Sequence, residues 1–251
     1  MTGADDRGVE VRDGLVHRPV QPWTSTVHRL LVHLHDRLPD LVPRPVGIDG
    51  GTETVTFLPG QAGADCWPHQ AGEAGLVSAA RLLRTVHDAS RDHLPAPDAT
   101  WGAPATTPAD VVCHGDPGPW NMAWRNGRAA GLFDWDFAHP GPAIDDVAYA
   151  LEHLVPFRSD EQAVRWHGFT APPDRPRRLR RFLQAYGWDE PPAVQVLVDA
   201  VIARQQRTID AVAELARRGV QPQQRWVREG HLEELAERIR WSQTHRHLLD
   251  P

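Results

Sequence analysis

Residues 111–136, VVCHGDPGPWNMAWRNGRAAGLFDWD, decide how the rest of this chain is read. A short apolar run, Val111 to Cys113, leads into His114-Gly115-Asp116, and Asn121 follows Asp116 after four residues. Asn126-Gly127 is a favoured two-residue hairpin turn, here joining Met122–Arg125 to Ala129–Asp134. The second arm of that hairpin is an apolar strand that delivers Asp134-Trp135-Asp136 thirteen residues after Asn121. A carboxylate that closes an apolar strand is costly to bury unless it meets a cation or hydrogen-bond donors. One stretch therefore presents a histidine, an amide and three carboxylates on turns fixed by strands.

Working outward, the 251-residue chain is long enough for a sizeable core, as one large domain or two modest ones. It is 41% apolar and 24% charged, which excludes wholesale disorder. A net charge of −6 argues against a nucleic-acid partner, for which a basic surface is expected, and is compatible with a cationic substrate. All 27 basic residues are arginine. The two cysteines, Cys66 and Cys113, are far apart and in no metal-type spacing, so a reducing cytoplasm is the expected location. The opening MTGADDRG lacks the basic and apolar regions of a signal peptide, and no apolar run approaches eighteen residues, so no membrane partner is expected. Fourteen histidines are scattered; His28, His33 and His35 on one helix, and His245 with His247, lack the i, i+4 spacing of a zinc site.

In chain order, residues 1–8 read as a loose start. Val9–Asp13 and Leu15–Pro19 form a hairpin about Asp13-Gly14. A helix follows at about 24–38, capped by Thr24 or Ser25, with Val27, Leu30, Leu31, Leu34 and Leu38 on one face. Strands near 45–48 and 53–58 turn at Gly50-Gly51. A helix at about 69–92 carries Leu76, Ala79, Leu83, Val86 and His87 on one stripe. After a Pro- and Ala-rich connector at 94–110 and the opening stretch, helices are expected at about 144–155, 176–187, 192–218 and 223–247. A small β-rich unit thus precedes a large helical one, and the chemistry-bearing stretch opens the second. That layout is bilobal, with a cleft between lobes.

His-x-Asp followed by four residues and Asn is the spacing of a kinase catalytic loop. HGDPGPWN at 114–121 and LFDWDFAHPGPAIDDVAYA at 132–150 together resemble the signature of the aminoglycoside phosphotransferase and choline kinase-like family. VTFLPG at 55–60, LLRTVHDA at 82–89 and Asp-Val-Ala at 146–148 fall where that family has counterparts. The resemblance covers roughly residues 10–250, strongest at 111–150.

It implies an α+β, protein-kinase-like fold, with a nucleotide-binding lobe at 1–58 and a helical lobe at 59–251 that holds the catalytic loop, metal and acceptor sites. It implies an enzyme that transfers the γ-phosphoryl group of ATP, or of GTP, to a hydroxyl of a small acceptor with Mg2+. Asp116 is then the catalytic base, Asn121 and Asp134 hold metal, and Asp136 faces metal or substrate or caps the following turn. His114 and Asp146 support the loop, and Phe57 and Leu58 lie in the nucleotide hinge. Candidate acceptor-lining groups are Trp120, Asp136, His139, Glu152, Trp188, Arg204 and Trp226. Acids there would suit an aminoglycoside, and aromatic walls a quaternary ammonium group.

The first sixty residues depart from the family in three ways. Asp13-Gly14 is nearly all that stands for a glycine-rich phosphate loop. No lysine exists to hold the phosphates, and Arg18 is the only sensible stand-in, keeping the charge with a different reach. Where the helix should carry the lysine's glutamate partner stands His28. A module that binds nucleotide or ligand without efficient turnover is the alternative those departures favour.

Overall fold

The computed structural model describes residues 8–249; most of the loose start expected at 1–8 lies outside the described residues. Near the N-terminus, β1 (Glu10–Arg12), β2 (Leu15–Pro19), β3 (Pro45–Asp49) and β4 (Thr52–Thr56) form an antiparallel sheet in the order β1-β2-β4-β3. Helix α1 (Thr24–His35) crosses between β2 and β3. Its apolar stripe is buried as the 3.6-residue period predicts, through Val27, Leu30, Leu31 and Leu34. The helix stops at His35, short of Leu38. No side chain caps its start; Thr24 instead accepts from the Gln21 backbone N–H at 2.9 Å.

The expected helix at 69–92 is two helices. Gly72 adopts extended backbone between α2 (Trp67–Ala71) and α3 (Glu73–Ser90). α3 is the spine of the larger part, its buried face carrying Leu76, Ala79, Ala80, Leu83, Val86 and His87. One side of α3 meets the hairpin β6 (Met122–Arg125) and β7 (Arg128–Leu132), and another meets the helix at Arg175–Tyr186. Asn126 and Gly127 both take positive φ, 51° and 71°, the backbone that a twisted two-residue hairpin requires. The strand β5 (Val111–Cys113) pairs with β8 (His139–Gly141), which the sequence reading had not foreseen.

The helices α4 (Ala143–Leu154), α5 (Asp160–His167), α6 (Arg175–Tyr186), α7 (Val194–Arg217), α8 (Gln223–Arg228) and α9 (His231–Thr244) complete the chain. α5 was missed, although Ser159 caps it by accepting from the Gln162 N–H at 3.2 Å. A single helix at 223–247 does not form, because Gly230 at φ 88° turns the chain between α8 and α9. One contiguous apolar core runs from α1 through α3, β6, β7 and α4 to α6 and α7. The sheet-rich and helical parts are thus joined across α1 and α3, where the His33 ring meets the Ala89 carbonyl at 2.9 Å.

A buried carboxylate ties this core to the opening stretch. Asp146, on the first turn of α4, accepts from the His114 N–H at 2.6 Å and the Gly115 N–H at 2.8 Å. The His87 ring approaches it at 3.0 Å, its other nitrogen meeting the Tyr186 hydroxyl at 2.7 Å. Burial pushes Asp146 upward, but the His87 ring, His114 and the Gly115 N–H outweigh it and bring the carboxyl down to about 2. Because its folded pKa lies below the unfolded value near 3.9, the stabilisation is complete above about pH 4 and is lost as pH falls toward 2. Asp146→Asn should therefore cost about 3 kcal/mol in urea unfolding at pH 7, since an amide sets a donor against two backbone donors. The difference from wild type should shrink between about pH 4 and pH 2; a pH-independent difference would remove this charge from the account.

Candidate active site

His114 holds the loop by both ring nitrogens. Nε2 donates to the Phe133 carbonyl at 2.9 Å and Nδ1 accepts from the Asp116 N–H at 3.2 Å, with the ring against Trp135 at 4.7 Å between centroids. Gly115 has φ 84°, and a Cβ there would lie 2.1 Å from the Phe137 carbonyl oxygen, so no side chain fits. The loop is clamped against the segment that carries Asp134 and Asp136.

Asp116 is deeply set. One carboxylate oxygen, Oδ2, accepts from Asn121 Nδ2 at 2.9 Å and from Trp120 Nε1 at 3.3 Å. The other, Oδ1, is buried and has no hydrogen-bond partner. Burial pushes the Asp116 carboxyl up, opposed by the Tyr149 hydroxyl, His114 and Trp120. Asn121 Nδ2 also donates to the Asp116 carbonyl at 3.0 Å, so its side-chain oxygen faces away from Asp116.

Asp134 has φ 64°, a left-handed backbone that costs a non-glycine residue on the order of 1 kcal/mol and that aspartate tolerates better than most. Its Oδ1 meets Arg18 Nη1 at 2.9 Å, and Asp136 Oδ1 meets Arg18 Nη2 at 2.9 Å. Trp23 Nε1 also donates to Asp136, at 3.2 Å. Arg18 Nε is bonded to Glu53, and His28 Nε2 meets the other Glu53 oxygen at 2.9 Å. Burial alone would lower the Arg18 pKa, but Asp136, Glu53 and Asp134 together raise it. Asp136 is pushed up by burial, with Arg18 pulling the other way and Asp134 adding repulsion.

The acidic partner of Arg18 corrects the sequence reading. No glutamate stands on α1, but Glu53 supplies one from β4, where it lies directly opposite Arg18 in the sheet register. His28, at the helix position where the acid was expected, reaches the same carboxylate. Trp23, Tyr149 and Glu53 were not foreseen. The signal for Glu53 is the pairing of β2 with β4, two strands separated by a helix and another strand, which spacing along the chain does not display.

The remaining predicted residues separate. The Phe57 side chain is exposed and its N–H is bonded to the Gly14 carbonyl at 2.9 Å, while Leu58 packs over Gly131 of β7. Trp120, Glu152 and Arg204 gather near Asp116, as described below. Trp188 packs on Tyr186 instead, Trp226 on His231, and His139 is buried with its ring against the Phe137 carbonyl. Cys66 and Cys113 are free and buried.

Asn121, Asp134 and Asp136 form an oxygen donor set suited to Mg2+, which commonly takes one or two carboxylates and completes its shell with water and phosphate. Among the described residues no three His, Cys, Asp or Glu side chains converge as in an all-protein metal cage. The grouping suits a cation nonetheless, since Glu53, Asp134 and Asp136 bring three carboxylates together at the Arg18 guanidinium.

A model of the phosphotransferase enzyme family matches residues 98–197, the span that holds Asp116, Asn121, Asp134 and Asp146. The trifolitoxin immunity protein of Rhizobium leguminosarum bv. trifolii is 31% identical over 194 residues, 74% of this chain and 73% of that protein. The chain belongs to the phosphotransferase enzyme family. Solved structures share the fold of this phosphotransferase at low identity. A choline/ethanolamine kinase family protein from Mesorhizobium loti superposes with a TM-score of 0.61 at 13% identity, covering 96% of this chain and 87% of that one. The GDP and kanamycin complex of APH(2")-IIia gives 0.59 at 14% identity, covering 97% and 92%. The α+β, kinase-like architecture expected for the phosphotransferase is therefore the one it has. No described helix is long and apolar enough to cross a membrane.

Glu53→Ala tests the paired-strand origin of the Arg18 partner. It removes a buried carboxylate shared by Arg18 and His28, and should lower the unfolding free energy by about 2–3 kcal/mol, less than the full loss of a buried pair because Arg18 keeps Asp134 and Asp136. Chemical denaturation at neutral pH reads the difference.

Proposed function

We propose that this phosphotransferase moves the γ-phosphoryl group of ATP, or of GTP, to a hydroxyl of a small molecule. The segment up to residue 58 would hold the nucleotide, and the segment from residue 59 the acceptor. The observation that carries the reading is Asp116, with one oxygen fixed by Asn121 and Trp120 and the other buried without a partner. A buried acceptor oxygen without a donor is a place for an incoming O–H.

In this reading the acceptor hydroxyl donates to Asp116 Oδ1, which aligns its oxygen with the γ-phosphorus. The oxygen–phosphorus bond forms as the bond to the bridging β–γ oxygen breaks, the proton passes to Asp116, and a nucleoside diphosphate leaves. Asn121 and Asp134 would hold Mg2+, with Asp136 beside them; when bound, the ion neutralises charge on the β- and γ-phosphates. Arg18 is the cation of the nucleotide side. It grips Asp134 and Asp136 as it stands, and its planar guanidinium can exchange one of those carboxylates for a phosphate in the same bidentate geometry. His114 and Asp146 keep the loop in place, and Phe57 and Leu58 border the nucleotide.

The alternative, a binding module with little turnover, draws on two observations. The β1–β2 connection is a two-residue turn at Asp13-Gly14, too short to cover phosphates as a glycine-rich loop does, and Arg18 is engaged by the carboxylates that should hold metal. The name of the Rhizobium relative places a toxin, beside antibiotics and amino alcohols, within the acceptor class to be screened.

Turnover separates the two. Asp116→Asn should reduce nucleotide-dependent phosphorylation of the best acceptor by about 100-fold or more, while Mg–ATP affinity stays within about threefold. Turnover that survives the substitution refutes the assignment of Asp116. Arg18→Ala should weaken Mg–ATP binding by about tenfold or more, with Arg18→Lys recovering part of the loss. Unchanged nucleotide affinity in Arg18→Ala would take Arg18 out of the site.

A further inference from the structure

The helical wall beside Asp116 is basic. Arg204 of α7 donates to the Gly115 carbonyl at 2.8 Å and lies over the Tyr149 ring at 4.5 Å. The Tyr149 hydroxyl neighbours Asp116. One turn further along α4, His153 packs edge-on to Tyr149 at 5.0 Å and to Trp120 at 4.9 Å, and Trp120 is the indole that donates to Asp116. Burial, followed by the charges of Arg158, Arg238 and Arg204, holds His153 well below its ordinary value. The imidazole is therefore neutral at pH 7, and the charges of three guanidinium groups act on it.

The carboxylate that faces these arginines is Glu152, buried and paired with Arg238 at 3.0 Å. That leaves Arg158 undercompensated. It is 7% exposed, and its Nε has no hydrogen-bond partner. Burial and then Arg238 bring its pKa down to about 9, with Glu152 opposing. His153 Nδ1, and on α7 both side-chain amide atoms of Gln205, are buried without partners as well. Buried polar atoms are ordinarily paired, and each unpaired one is costly to bury. Such a concentration beside the reacting carboxylate marks a place built to receive a ligand of complementary charge.

We propose that the acceptor is a hydroxylated carboxylate, its anionic group held by Arg158, Arg238 and Arg204 while its hydroxyl meets Asp116. The assignment rests on the phosphotransferase reading of Asp116 and narrows its acceptor. A carboxylate matches guanidinium bidentately and satisfies the donor that Arg158 leaves open. A polycationic aminoglycoside or a quaternary amine meets three like charges at the same wall, which discriminates against it.

Binding can be read without turnover, because Trp120, which donates to Asp116, packs against Trp67 at 5.0 Å with the rings tilted by 45°, and their fluorescence reports occupation of the site. Glycerate and related hydroxy acids, ethanolamine and kanamycin are titrated into the full-length protein with and without Mg–ATP, and phosphoryl transfer to each is measured. Saturable binding of a hydroxy acid at least about tenfold tighter than ethanolamine or kanamycin is expected. Arg158→Gln and Arg238→Gln should each weaken that binding about tenfold, and the more exposed Arg238 covers the case in which the Arg158 variant fails to fold. Tighter binding of either cationic compound, hydroxy-acid binding unchanged in both variants, or no binding by any hydroxy acid overturns the proposal. Hydroxy-acid binding without phosphoryl transfer in the presence of Mg–ATP instead strikes the phosphotransfer reading and leaves the anion site standing.

Discussion

Asp146 is the interaction on which the rest of the site depends. One buried carboxylate on the first turn of α4 accepts two consecutive backbone N–H groups of the catalytic loop and the ring of His87 on α3. Neutral partners would not serve equally. Two adjacent N–H groups aimed at one point need an acceptor with lone pairs on both oxygens, and charge shortens and strengthens each bond. The loop is thereby fixed to the two helices that carry most of the core, and Asp116 inherits that rigidity within two residues. Tyr186 extends the chain from the far side of His87, so α6 is coupled to the same carboxylate.

Arg18 plays the opposite part, as a group whose partners can change. It is pinned by Glu53 across the sheet, and that bond fixes its Nε while the two terminal nitrogens face Asp134 and Asp136. A lysine in this position would offer one point charge and could not hold Glu53 and two further anions in a plane. Replacement of the usual lysine by arginine therefore goes together with a partner acid on β4 instead of α1. A lysine-free chain has kept a cation here by moving the anion that orients it. Arg18 also bridges Asp134 and Asp136 and offsets the repulsion between them.

How far the sequence could be read follows from these two contacts. Asp116, Asn121, Asp134 and Asp146 lie within thirty-one residues, on a loop, a 3-10 turn, the segment just past β7 and a helix start, each with a local signature, so their grouping was legible. The hairpin turn at Asn126-Gly127 and the apolar face of α1 were legible for the same reason, since local backbone preference and helical period decide them. Glu53 was not, because it meets Arg18 only once β2 and β4 pair over thirty-four intervening positions. Gly72 and Gly230 fall inside otherwise helical patterns, and a period-based reading runs through a glycine that the backbone in fact uses to turn. Ser159 followed by two acids is a start signal for the eight-residue α5, which the reading of helices by apolar period did not use.

Net charge proved the least transferable property. A net charge of −6 is compatible with a cationic substrate, yet the charge is distributed unevenly about the same loop. Glu53, Asp134 and Asp136 gather at Arg18, while Glu152 is paired with Arg238 on the helical side, where Arg158 and Arg204 also lie. At separations of a few ångströms within a largely desolvated site, such local imbalances act far more strongly than the mean charge of a surface screened by salt. The two imbalances have opposite signs and lie on either side of Asp116. In the proposed reading Mg2+ would bring positive charge to the acidic side and an anionic acceptor negative charge to the basic side, with Asp116 between the two.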